Sequence, residues 1–126
     1  MKAKLSWKDV EELITILAEK IKDKNFKCIR GIPRNGCIIA ILLSHLTGLT
    51  YIENAHLLKN EDVLIVDDIA DTGHTLCAYA NYKIATLHYK PTSKIRPDFF
   101  AKETTDWIQY PWETDKSSKV DYNGNE

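Results

Sequence analysis

The chain has 126 residues and is 44% hydrophobic, which supports one packed domain rather than several. A formal net charge of −1 implies no general attraction to nucleic acid or to an anionic membrane. Ser6 followed by Asp9 forms a capping-box-like start, and Val10, Leu13, Ile14, Leu17 and Ile21 recur at helical spacing, so an amphipathic helix is expected over about residues 7 to 23. Phe26–Ile32 reads as a first strand and Pro33–Gly36 as a turn. Cys37–Leu46 is apolar nearly all round, which suits a helix buried on a sheet, and Gly48 ends it. Leu49–Glu53 is a second strand, followed by a polar stretch, Asn54–Asp62. Val63–Val66 is a buried third strand, Leu76–Tyr82 a helix and Ile84–Tyr89 a fourth strand. Asp98–Ala101 and Trp107–Tyr110 are short strand candidates. Strands alternating with helices argue an α/β fold with a parallel sheet and right-handed crossovers. The domain is expected over residues 1–114, with a polar, loose tail over 115–126.

The most informative segment is residues 63–76, VLIVDDIADTGHTL. Two adjacent carboxylates, Asp67 and Asp68, stand where the apolar strand ends. A third, Asp71, opens the loop Asp71-Thr72-Gly73-His74-Thr75 before a helical pattern resumes. In an open parallel sheet, ligands bind at the carboxyl ends of strands. A loop of small and hydroxyl residues there can turn backbone N–H groups toward a phosphate. Paired carboxylates suit ribose hydroxyls and a hard cation such as Mg²⁺. The bland alternative is a strand whose acids merely cap a turn.

This block resembles the phosphoribosyl-diphosphate (PRPP) signature of type I phosphoribosyltransferases. The resemblance implies that Asp67 and Asp68 hold the ribose hydroxyls of PRPP, directly or through Mg²⁺, and that Asp71 to Thr75 cradle its 5′-phosphate. It implies that Arg34, Asn35 and Gly36, after the first strand, hold the pyrophosphate, with Asn35 replacing a usual Gly; an ordinary turn is the competing reading. Lys90, after the fourth strand, matches the Lys that favours oxo over amino purines in the 6-oxopurine members. The ending Trp107-Ile108-Gln109-Tyr110-Pro111-Trp112-Glu113 and the opening Ser6-Trp7 are similar to those of bacterial xanthine-guanine phosphoribosyltransferases. There Trp107 is implied to stack on the base, Ile108 to offer backbone groups and Trp112 to anchor the core.

The implied fold is a parallel sheet flanked by helices, with a small C-terminal base-binding hood. The implied reaction is transfer of ribose 5-phosphate from Mg²⁺-PRPP to a 6-oxopurine, with Asp71 near N7 as proton acceptor or, equally, as a loop-structuring carboxylate. One departure stands out. The family's long closing loop is replaced by Asn54–Asp62, with Lys59 its sole cation. A PRPP- or nucleotide-binding sensor without catalysis is therefore the alternative. Family habit suggests a dimer or tetramer. His74 lies in the phosphate loop, while His45 and His88 read as structural. Cys28, Cys37 and Cys77 lack metal spacing and read as buried or partly buried thiols in a reducing compartment. Cys37–Leu43 is too short to span a bilayer, and Met1–Lys8 lacks a signal-peptide core, so the expected location is cytoplasmic.

Overall fold

A computed structural model describes residues 1–54 and 58–117. Five strands form one parallel sheet: β2 (Cys28–Gly31), β3 (Thr50–Tyr51), β4 (Val63–Ala70), β5 (Lys83–Tyr89) and β6 (Phe99–Glu103), in the order β3-β2-β4-β5-β6. The connection leaving β2 runs toward β3, whereas those leaving β4 and β5 run the other way. The crevice between the carboxyl ends of β2 and β4 is therefore the topological switch point, where ligands bind in open α/β sheets. β1 (Lys2–Lys4) and β7 (Trp107–Gln109) form a separate parallel pair, the hood. The first strand of that pair is not foreseen by the hydrophobic pattern, because three residues are too few to show a period.

Helix α1 (Trp7–Ile21) starts on the expected capping box. The Asp9 amide donates to Ser6 Oγ at 3.1 Å and the Ser6 amide donates to Asp9 Oδ2 at 2.8 Å. Its apolar stripe and the inner face of α2 (Asn35–Thr47) pack on one side of the sheet against Ile29, Leu64, Val66, Ala85 and Leu87. Gly48, at φ 78°, closes α2 in the left-handed conformation. On the other side Val63, Ile65 and Ile84 meet Leu76, Tyr79, Tyr82 and Ile95, which are contributed by turns rather than by a long helix.

Several expectations are corrected. The Leu76–Tyr82 helix is only a 3₁₀ turn, Leu76–Tyr79, because the 71–75 loop leaves just seven residues before β5, too short a run to sustain an α-helix. Asn35 and Gly36 belong to α2, not to the turn before it. Gly36 is what allows this, since a Cβ there would lie 2.4 Å from the Val66 carbonyl oxygen; the helix rests directly on β4. Finally, β4 does not stop at the acids but runs on to Ala70. Of the three cysteines, Cys28 and Cys37 are half-buried and Cys77 is exposed, contrary to the expected burial. His45 is likewise exposed, on the last turn of α2. No helix among the described residues is long and apolar enough to cross a membrane. Within the expected loop Asn54–Asp62, residues 55–57 lie outside the described part, as do residues 118–126 of the expected tail.

Candidate active site

The acid pair owes its accessibility to unequal strand lengths. β2 pairs with β4 only as far as Gly31 opposite Val66, whereas β5 follows β4 to Ala70 opposite Tyr89. Asp67 and Asp68 therefore lie just beyond the end of β2, on a strand held from one side, at the switch point. Both are half-buried. The Asp68 amide donates to Asp67 Oδ1 at 2.9 Å, and the Ile69 amide donates to Asp68 Oδ1 at 2.8 Å. Burial, then the neighbouring Asp68 charge, pushes the Asp67 carboxyl well above the ordinary carboxylate range. Burial also raises Asp68, opposed by the hydrogen bonds it accepts from Asn35 and Ile69.

After Ala70 the chain enters the loop at residues 71–75. Asp71, Thr72 and His74 are exposed, Thr75 is half-buried and Gly73 is buried at φ 85°. The His74 amide is taken by Thr72 Oγ1 at 3.2 Å. The amides of Thr72, Gly73 and Thr75 have no acceptor among the described residues, as an oxyanion cradle requires. The loop leans on the β5–β6 connection: the Lys94 amide donates to the Thr72 carbonyl at 3.0 Å. A Cβ on Gly73 would lie 2.7 Å from the Ile95 nitrogen. Lys90 continues β5, and its ammonium lies 3.4 Å from Asp71 Oδ1; its side chain is 16% exposed against 53% for Asp71. Two residues predicted separately thus form one ion pair at the head of β4 and β5.

Across the crevice, the Pro33–Arg34 peptide is cis and Arg34 caps α2. Arg34 Nη2 donates to the Ser117 carbonyl at 3.0 Å, so the C-terminal segment folds back over this loop. The side chain of Asn35 is directed not outward but to two carboxylates, Asp68 Oδ2 at 2.8 Å and Glu113 Oε2 at 3.1 Å.

The hood supplies Trp107, 63% exposed, with the Lys2 ammonium 4.8 Å from its ring centroid. The Ile108 side chain is buried in the core and can touch no ligand. Its backbone can. The Trp107 amide donates to the Met1 carbonyl and the Leu5 amide to the Gln109 carbonyl, both at 2.9 Å. In a parallel ladder alternate residues bond to opposite sides, so the N–H and C=O of Ile108 face the open edge of β7. Trp112 is half-buried and stacked on Tyr110, with ring centroids 5.1 Å apart and planes 5° from parallel.

Sequence reading missed the polar core under the acids. Tyr110 is 2% exposed; its hydroxyl lies 3.1 Å from the Asp68 carbonyl oxygen and 2.8 Å from His88 Nδ1. Burial, followed by the charges of Asp68, Asp67 and Glu113, keeps this phenol protonated. Its single proton goes to the Asp68 carbonyl, so His88 must donate through Nδ1–H. Glu113 was visible only as the last residue of a motif, and a pattern cannot say what its carboxylate touches.

A one-sided acid pair at a switch point, a loop with unpaired amides beside it and an ion pair at the head of β4 and β5 mark the ligand-binding edge of an open parallel α/β fold. A model of the phosphoribosyl transferase domain matches residues 40–118. Over 133 aligned positions the chain is 24% identical to a xanthine-guanine phosphoribosyltransferase of Chromohalobacter salexigens, covering 86% of this chain and 82% of that protein. A purine phosphoribosyltransferase structure from Pyrococcus horikoshii superposes with a TM-score of 0.81 at 33% identity, over 90% of this chain and 94% of that one. A xanthine-guanine-hypoxanthine phosphoribosyltransferase structure from Helicobacter pylori gives 0.76 at 19% identity, over 91% and 96%. The chain belongs to the type I phosphoribosyltransferase family.

Proposed function

We propose that the protein transfers ribose 5-phosphate from Mg²⁺-PRPP to N9 of a 6-oxopurine, releasing pyrophosphate and forming the nucleoside 5′-monophosphate in cytoplasmic purine salvage. The observation that supports this reading is the acid pair Asp67 and Asp68 at the switch point, with the Asp71–Lys90 ion pair at the neighbouring head of β4 and β5. Asp67 and Asp68 would take the ribose hydroxyls, and the amides of the 71–75 loop the 5′-phosphate. The loop at Arg34–Gly36 would receive the pyrophosphate. The donor set fits Mg²⁺: two adjacent carboxylates are hard oxygen ligands, and no cluster of three or more metal-type side chains exists among the described residues. Such a site leaves the remaining positions to substrate oxygens and water. Bound there, Mg²⁺ would offset the charge that develops on the departing pyrophosphate.

For the base, the Lys90 ammonium can donate to an exocyclic O6 but not accept from an amino group. Trp107 offers a stacking surface and Ile108 its open backbone groups. Asp71, paired with Lys90, would take a proton from the base or, equally, serve only to structure the loop. The test is incubation with PRPP, Mg²⁺ and each base in turn. Guanine, xanthine or hypoxanthine should be converted and adenine hardly at all; a preference for adenine or uracil overturns the assignment. The short connection between β3 and β4 favours a second reading, a PRPP or nucleotide sensor. PRPP bound without transfer to any base would select it.

A further inference from the structure

The carboxylate of Asp68 is held in a way the proposed reaction does not by itself require. Asn35 donates to Asp68 Oδ2 at 2.8 Å and to Glu113 Oε2 at 3.1 Å. Both partners only accept, so the amide nitrogen faces them and spends one N–H on each. The other oxygen of Glu113, Oε1, accepts from the Tyr110 amide at 2.8 Å. The Tyr110 hydroxyl donates to the backbone carbonyl of Asp68 at 3.1 Å. The chain of contacts that leaves Asp68 by its side chain therefore returns to it by its backbone. The anchors are firm. Tyr110 is buried, and Asn35 opens a helix whose next residue, Gly36, sits too close to β4 for a side chain.

We propose that Asn35 is a positioning residue: through Glu113 and Tyr110 it closes a hydrogen-bond circuit that fixes both the side chain and the backbone of Asp68. The circuit leaves Asp67 and the remaining lone pairs of Asp68 for ligand. It also ties the sugar-binding strand to the segment that carries Trp107 and Ile108, so the ribose and base halves of the pocket keep one spacing. An amide is suited to this task because it alone among small side chains offers two donors from one atom to two carboxylates. A glycine at this position could not make the link.

The inference rests on the proposed PRPP binding, and the test separates the two. Mg²⁺-PRPP affinity is measured by calorimetry for the wild type, Asn35→Ala, Asn35→Ser, Glu113→Ala and the Asn35→Ala/Glu113→Ala double variant, each checked for folding by circular dichroism. Asn35→Ala and Glu113→Ala should each weaken PRPP roughly tenfold, the loss expected of a charge-assisted hydrogen bond. The double variant should be no worse than either single one, because all three break the same circuit. Serine has one donor and reaches one carboxylate, so Asn35→Ser should behave as Asn35→Ala. In turnover, the KM for PRPP should rise, and that for the base with it, because the circuit also sets the spacing of the two halves. Unchanged PRPP affinity in the folded single variants overturns the inference. Fully additive losses do so too, since they would mean that Asn35 and Glu113 touch ligand independently. A wild-type protein that binds no Mg²⁺-PRPP overturns the proposed function, and this inference with it.

Discussion

At the scale of single residues, the acid pair shows a site held against the preference of the fold. Burial raises both carboxyls, and the Asp68 charge raises Asp67 further, so keeping the pair ionised costs stability. Asp67→Asn combined with Asp68→Asn should therefore abolish Mg²⁺-PRPP binding, by a hundredfold or so, without lowering Tm. Unchanged affinity in a folded double variant would remove both from the site. His88 makes the opposite kind of prediction. Burial, helped by the Lys102 charge, lowers its pKa to about 4, against 6.5 in an unfolded chain. Between those values the unfolded chain takes up a proton that the folded one refuses. Stability should thus be intact above pH 6.5 and fall as the pH drops toward 4, by on the order of 3 kcal/mol. The acid pair, with raised values, slopes the other way, so the difference between wild type and His88→Asn isolates the histidine. Asn keeps a donor for Tyr110 and does not titrate; if denaturant curves for the two proteins run parallel from pH 7 to 4.5, this account of His88 is wrong.

At the scale of elements, the two left-handed glycines separate conformational cost from crowding. Gly48, at φ 78°, has nothing within 4 Å of where a Cβ would stand, whereas Gly73, at φ 85°, meets the Ile95 and Lys94 nitrogens at 2.7 and 2.9 Å. Gly48→Ala should cost about 1 kcal/mol, the left-handed penalty alone. Gly73→Ala should cost clearly more and weaken PRPP as well, because the anion loop must lift off the β5–β6 connection. Equal Tm losses would show that the loop yields freely. These elements also mark what a sequence discloses. The buried strand, the acids and the loop after them were legible at 63–76 because each obeys a local rule: apolar continuity, adjacent carboxylates, small and hydroxyl residues that interrupt both. The capping box at Ser6 and the end of α2 at Gly48 were legible for the same reason. The continuation of β4 through Asp67 was not, since pairing with β5 overrides the poor strand propensity of aspartate. The Asp71–Lys90 pair and the Glu113–Asn35–Asp68 links were not either. They join residues far apart in sequence, and nothing local announces them.

At the scale of the whole molecule, the short cover between β3 and β4 raises the question of what keeps water from the reaction. Closure normally excludes water and strengthens the field on a departing pyrophosphate. We expect a second copy of the chain to supply the missing wall near Pro33–Gly36. The helix that begins there, α2, contains no charged residue and leaves Ile41 and Leu46 exposed, the composition of a helix covered on all sides. Sedimentation should show a dimer or tetramer; a monomer with rapid turnover would mean that the short loop suffices.

The hood has a consequence for folding. The Trp107 amide donates to the carbonyl of Met1, and β7 runs beside β1, so two segments about a hundred residues apart must meet before either has a partner. The five-stranded sheet makes no such demand on β1, and the chain can bury that sheet with the hood still open. The surface proposed for the base is thus built on the strand pairing of longest sequence span among the described residues, and a peptide joined ahead of Met1 would emerge beside it.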